Sequence, residues 1–169
     1  MDDRLLTIYL NDHLAGATVG ALIARRSAGS NRGTKLGERL AAIAAEIEQD
    51  REALRSVMRR VGAVENPVKT TFVRLAERTG RVLKLNGRLL SYSPLSRLEE
   101  LEALRIGVEG KLALWRGLKE TRGADPRLKG VDLDELARRA ERQGAELEAM
   151  RLEAVRAAFG TARPGRAKR

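Results

Sequence analysis

The chain has 169 residues, of which 43% are hydrophobic and 33% charged, which suits one globular domain and excludes a largely disordered chain. Without cysteine it has no disulfide, thiolate metal site or cysteine nucleophile, and its single histidine excludes a multi-histidine metal cage. The net charge is +10, and the basic excess is concentrated in residues 65–98 and 161–169.

Apolar residues recur every three or four positions in four long segments, which predicts amphipathic helices. The expected helices cover residues 3–26, 34–61, 94–120 and 133–159. Gly62 ends the second helix, Ser93 with Pro94 begins the third, and Asp132 with Glu135 forms a capping box for the fourth. Residues 27–33 form the first turn, and residues 123–130 form the last loop.

A shorter crossover helix is predicted over residues 67–85, within the connection between the second and third long helices. Amphipathic helices bury their apolar faces against each other, so we expect an all-α four-helix bundle. The connection is long enough to return along the bundle, which is the ferritin-like topology. The bundle forms one domain over residues 1–160, and residues 161–169 form a disordered basic tail.

Residues 10–26, LNDHLAGATVGALIARR, resemble the first helix of ferritin-like proteins. The positions that correspond to metal ligands of that superfamily are Ala17 in the first helix, Glu46 and Gln49 in the second, Glu99 or Glu102 in the third, and Gln143 and Glu146 in the fourth. The resemblance implies a ferritin-like bundle whose di-iron ligand set is incomplete. Oxidase or iron-storage chemistry is not carried over.

One polar residue interrupts the apolar stripe of each long helix, and the four together predict a polar core layer. They are His13, Asp50, Arg105 and Gln143. The predicted stripe of the fourth helix continues to Ala157, and that of the first helix consists of Leu6, Leu10, His13, Ala17, Gly20 and Ala24. A hairpin that turns near residue 30 sets His13 opposite position 48, between Glu46 and Asp50. The same reasoning places Arg105 near position 148 of the fourth helix.

Three interpretations of this layer remain open, one of which is that some of its members are exposed to solvent. His13, Glu46 and Asp50, joined by Glu102 and Glu146, offer nitrogen and oxygen ligands that suit Mn, Fe or Zn. Alternatively, the layer is a buried ion-pair network that fixes helix register without chemistry. In that network a carboxylate beside His13 raises the pKa of the imidazole.

Small residues and the single tryptophan have structural interpretations. Gly16 and Gly20 are expected to let another helix approach closely, and Trp115 is expected in the core. The crossover helix carries a basic face of four arginines, namely Arg74, Arg78, Arg81 and Arg88. This face is either solvated or, together with the basic tail, binds an anionic partner such as nucleic acid or lipid.

The function expected from the sequence is a non-catalytic, ferritin-like helical bundle that acts as a binding or structural module. No catalytic residue and no cofactor are assigned. The alternatives are a metal-binding or metal-dependent protein, with Mn, Fe or Zn, and a protein that binds anionic surfaces. The sequence leaves a homo-oligomer open. Because no signal peptide or transmembrane segment is predicted, we expect a cytoplasmic protein.

Overall fold

The protein is described here from a computed structural model that covers residues 2–66 and 92–160. Four long helices are present: α1 (Asp3–Ser30), α2 (Lys35–Val61), α3 (Pro94–Thr121) and α4 (Leu133–Phe159). A short 3-10 helix, Pro126–Leu128, lies between α3 and α4. These two ranges contain no strand, so the predicted all-α four-helix bundle is confirmed. The predicted crossover helix and basic tail lie outside the described residues.

Each helix is antiparallel to its neighbours. Besides the α1–α2 and α3–α4 hairpins, Arg26 near the end of α1 pairs with Glu100 near the start of α3, at 3.3 Å. Arg39 near the start of α2 likewise pairs with Glu146 in the middle of α4, at 2.5 Å, and with Glu153 near its end, at 3.1 Å. Consequently α2 and α3 run in the same direction, and the connection between them joins opposite ends of the bundle. The single long connection is as predicted.

Most helix boundaries follow the local capping signals. The Asp2 carboxylate accepts hydrogen bonds from the first turn of α1, and the Ser93 hydroxyl accepts one from the Ser96 backbone while Ser96 bonds back to Ser93. The Asp132 carboxylate caps α4 at 2.9 Å from the Glu135 amide nitrogen, but the Glu135 carboxylate accepts from Arg138 and Arg142, so the predicted capping box is only half formed. These contacts satisfy amide groups that have no partner inside the helix.

The end of α1 differs from the sequence prediction. The helix continues through Gly29 to Ser30, whereas residues 27–33 were predicted to form a turn. The Asn31 side chain donates to the Ser27 carbonyl at 2.8 Å and to the Tyr92 hydroxyl at 2.9 Å. This asparagine caps the last turn and ties it to the start of α3, so the helix extends beyond Arg26.

The predicted apolar stripes of α2, α3 and α4 form most of the core. Residues of these stripes that are buried include Leu40, Ile43, Ile47, Leu54, Val57, Val61, Leu98, Leu101, Val108, Leu112, Trp115, Ala140, Leu147, Met150 and Ala154. Ala157, predicted to lie on the α4 stripe, is exposed. None of the helices in residues 2–66 and 92–160 has an apolar stretch long enough to cross a membrane.

The stripe of α1 was predicted one residue out of place in the middle of the helix. Leu14, Thr18 and Ala21 are buried there, and His13 is only partly buried. The Thr18 hydroxyl donates to the Leu14 carbonyl at 2.8 Å, which satisfies this polar group inside the bundle. One residue corresponds to a rotation of about 100° around the helix axis. Ala17 and Gly20 therefore lie beside the buried stripe of α1 and are not part of it.

Arg127 of the 3-10 helix ties one end of the bundle together. Its guanidinium donates to the buried Asp125 carboxylate at 2.7 Å and to Asp3 of α1 at 2.6 Å. It also donates to the Val61 carbonyl at the end of α2, at 2.9 Å. Residues 123–130, predicted to form only a loop, thus connect the start of α1 to the end of α2 through the Arg127 side chain.

Candidate functional site

A buried carboxylate, Asp50 of α2, is the centre of a polar network that reaches α3 and α4. It is only 2% exposed. Lys111 of α3 lies 2.5 Å from one carboxylate oxygen, and the Arg139 guanidinium of α4 donates to the other at 2.7 Å. The Gln143 amide donates to Asp50 at 3.2 Å and to Glu46 at 2.8 Å, while its carbonyl oxygen accepts from Lys111.

The charges of this network compensate one another. Two carboxylates, Glu46 and Asp50, face two cations, Lys111 and Arg139. Burial lowers the pKa of the Lys111 ammonium, while the charge of Asp50 beside it opposes that shift. A buried charge requires such a partner, so the network stabilises the bundle only as a complete set.

Of the four residues predicted to form the polar layer, Asp50 and Gln143 meet as expected, whereas the other two lie elsewhere. Arg105 bonds to Glu109 one turn further along its own helix. A Cβ built on Gly144 of α4 would lie 3.6 Å from the Arg105 guanidinium, so Arg105 lies about one helical turn from the predicted position 148. The register of α3 against α4 thus agrees with the prediction to within about one helical turn, but Arg105 does not join Asp50 and Gln143.

His13 belongs to a different environment from the one predicted. Its ring packs edge-on against Tyr9 with 4.5 Å between centroids, and no hydrogen bond or ion pair joins it to Glu46 or Asp50. Burial lowers the pKa of the imidazole, with a smaller opposing effect from Asp12. The expected rise in pKa is therefore wrong, because the partial rotation of α1 leaves His13 without a carboxylate partner from α2.

Of the carboxylates proposed as metal ligands, Glu46 and Asp50 meet at Gln143, whereas Glu102 and Glu146 pair with arginines. Glu102 lies 3.6 Å from Arg151, and Glu146 pairs with Arg39. Within the described residues, no group of three or more histidine, aspartate or glutamate side chains is arranged to hold a metal ion. The basic-face arginines, Arg74, Arg78, Arg81 and Arg88, lie outside the described residues.

A cavity of about 400 Å³ lies between α1 and α3, next to the Asp50 network. Its walls are mainly apolar and include Ile47, Leu54, Leu104, Val108, Leu114 and Trp115. Four glycines contribute to it, Gly16 and Gly20 from α1 and Gly107 and Gly110 from α3. A Cβ built on any of them meets no atom of the described chain within 4 Å.

The role of Gly16 and Gly20 thus differs from the predicted one. They do not accommodate a close helix contact within the described structure, and instead they leave open space beside α3. Trp115 is buried as predicted, at 1% exposure, but its ring also lines this cavity. Its indole N–H is buried and has no acceptor among the residues described.

Substitution by alanine is expected to change the stability in opposite directions at two glycines, because only one of them has open space beside it. Gly20→Ala is expected to stabilise the protein by about 0.5–1 kcal/mol, because alanine favours helix and its methyl group meets no neighbour. Gly37→Ala is expected to destabilise it, since the added Cβ would lie 2.2 Å from the Asn31 carbonyl oxygen. Thermal melts of the two variants test this contrast. A lower melting temperature for Gly20→Ala would show that the cavity wall is closed.

Lys111 and Arg139 belong to the Asp50 network, and the sequence prediction missed both. Each directly precedes a stripe residue, Leu112 and Ala140 respectively, and so lies at the edge of a buried face. Their long side chains reach from that edge into the core, which periodicity does not indicate. The signal available was Asp50 itself, because a buried carboxylate requires cations from neighbouring helices.

Comparison with known proteins adds no relationship. No family model, curated protein or solved structure matches this chain.

Proposed function

We propose that the protein is a non-catalytic bundle of ferritin-like topology that binds a small, largely apolar molecule in the cavity between α1 and α3. The observation that carries the proposal is the cavity, whose volume of about 400 Å³ suits a small ligand. Ligand sites commonly lie between the helices of bundles and combine apolar walls with a few polar groups. The long connection between parallel α2 and α3 supports the ferritin-like assignment.

The polar groups beside the cavity favour binding over catalysis. Both oxygens of Asp50 already accept hydrogen bonds or ion pairs from Lys111, Arg139 and Gln143. The Lys111 ammonium is in turn held by Asp50 and by the carbonyl oxygen of Gln143, so both side chains are engaged within the protein. The network therefore supplies a rigid, charge-balanced wall for a ligand.

Binding can be tested with the neutral apolar dye Nile red. Trp115 is the only tryptophan of the chain and lines the cavity, so its fluorescence reports occupancy directly. We expect saturable binding of one dye molecule, accompanied by quenching of Trp115 emission. Gly20→Leu, which places a side chain in the open space, is expected to weaken binding at least tenfold.

Gly29→Leu is the matched control for this experiment. Gly29 lies in the same helix, its added Cβ meets no described atom within 4 Å, and it does not line the cavity. This variant is expected to bind Nile red like the natural protein. Equal weakening by both substitutions, or no saturable binding at all, contradicts the proposal.

A further inference from the structure

We infer that His13 is the polar binding group of the cavity, where its uncharged imidazole forms a hydrogen bond with the hydroxyl group of an uncharged, mainly apolar ligand. This inference rests on the proposed binding function and adds the ligand class and the residue that recognises it. Three observations support it: the position of His13 on the face of α1 that lines the cavity, its capacity for a hydrogen bond, and the charges around it.

His13 lies on the face of α1 that is directed towards the cavity. The lining residues of this helix recur at intervals of three and four positions, as one helical face requires, and they are Tyr9, Asp12, His13, Gly16, Ala17 and Gly20. Side chains of a helix lean towards its N-terminus, and the His13 ring accordingly packs against Tyr9. In the following turns Gly16 and Gly20 carry no side chain, so the imidazole borders the open space.

The imidazole is able to form a hydrogen bond with a ligand. It is only partly buried, and no hydrogen bond joins it to a described residue. A neutral imidazole has one N–H donor and one acceptor nitrogen, and a hydroxyl group can bond to either of them. The buried polar groups of the wall, Lys111 and Asp50, are by contrast held by each other.

The charged groups around His13 favour an uncharged ligand. They are Asp12 of α1, Asp50 of α2 and Lys111 of α3, all of which line the cavity. Burial lowers the pKa of the imidazole, and only a smaller effect of Asp12 opposes it, so His13 is mainly uncharged at pH 7. An anion here would meet the Asp12 carboxylate without gaining a free cation, since Lys111 is held by Asp50 and Gln143. A cation beside the exposed Asp12 would remain in water and leave the apolar interior unfilled.

Proton NMR tests the contact directly, because His13 is the only histidine of the chain. We expect saturating 1-octanol to lower the pKa of the imidazole further, since an uncharged ligand removes water from the ring. Octane-1-sulfonate, an anion of the same chain length, would raise this pKa if it bound beside the ring. A pKa of His13 that stays the same or rises on addition of 1-octanol overturns the inference.

Binding is then expected to weaken at low pH. Because the ligand favours the uncharged imidazole, the dissociation constant of 1-octanol, obtained by displacement of Nile red, should rise at least about threefold between pH 7.5 and pH 5. His13→Gln retains a donor and an acceptor but does not titrate, so its dissociation constant should not depend on pH in this range. A rise that persists in His13→Gln assigns the pH dependence to Asp12, Asp50 or Lys111 and overturns the inference.

The hydrogen bond itself is tested with His13→Phe at pH 7.5. Phenylalanine keeps an aromatic ring beside Tyr9 but neither donates nor accepts, so 1-octanol should bind about fivefold more weakly to His13→Phe than to His13→Gln. A difference below about twofold contradicts the hydrogen bond. Tighter binding of octane-1-sulfonate or octyltrimethylammonium than of 1-octanol contradicts the ligand class. These outcomes leave the proposed binding function standing, whereas absence of saturable Nile red binding to the natural protein refutes both.

Discussion

Asp50→Leu is expected to lower the free energy of unfolding by about 3–5 kcal/mol, because it leaves buried cations without their counter-charge. Lys111 and Arg139 are 13% and 20% exposed at their side chains, so water compensates only in part for the lost carboxylate. Urea unfolding followed by circular dichroism measures the loss. A loss below about 1 kcal/mol would show that the network is hydrated.

Two further variants separate the charge effect from the loss of a side chain. Asp50→Leu combined with Lys111→Met and Arg139→Leu replaces the network with apolar residues and is expected to recover much of the stability. Glu141→Leu breaks the exposed pair with Arg116, at 2.7 Å, and is expected to cost less than about 1 kcal/mol. Similar losses for Asp50→Leu and Glu141→Leu would contradict the central role of Asp50.

Arg127→Met is expected to reduce thermal stability clearly at pH 7, because it releases two carboxylates and the end of α2 at once. The hydrogen bond from Arg127 is the largest cause that lowers the pKa of Asp125 to about 2, below its usual 3.8. A second hydrogen bond from Arg127, to the Asp3 carboxylate, lowers the pKa of Asp3. A carboxylate with a lowered pKa contributes stability above its unfolded pKa, and the contribution is lost as pH falls through the folded value.

The difference in melting temperature between the natural protein and Arg127→Met should therefore be largest above about pH 5 and shrink towards pH 2. Melting curves recorded between pH 2 and pH 7 measure this difference. Arg138→Met is the control, since Arg138 pairs at 3.1 Å with Glu135 on its own helix and both side chains are exposed. A difference for Arg127→Met that does not change with pH would indicate lost packing instead of lost ion pairs.

Local sequence is sufficient to determine where most helices begin and end. Asp2, Ser93 and Asp132 accept backbone amides within two or three residues, and Gly62 adopts the left-handed conformation with a φ of 73°. Such interactions are complete within one turn, so the sequence alone indicates them. The clear apolar stripes of α2, α3 and α4 similarly indicate which face each helix buries.

Only the tertiary structure decided the rotation of α1 and, with it, the candidate site. The predicted stripe through His13, Ala17 and Gly20 and the observed one through Leu14 and Thr18 lie side by side. Small and apolar residues occur on both, so periodicity distinguishes them poorly. Packing against α2 and α3 buries the stripe with the bulkier Leu14, which leaves the glycines beside an open cavity.

The members of the Asp50 network were likewise decided by the tertiary structure. The sequence predicted a polar layer at Asp50 and Gln143, since both interrupt apolar stripes. The cations that complete it come from α3 and α4 through long side chains, with Lys111 61 positions from Asp50 along the chain. Which side chain reaches a buried charge depends on the distance between helix axes and on their rotation, and neither is encoded in the spacing of residues along a single helix.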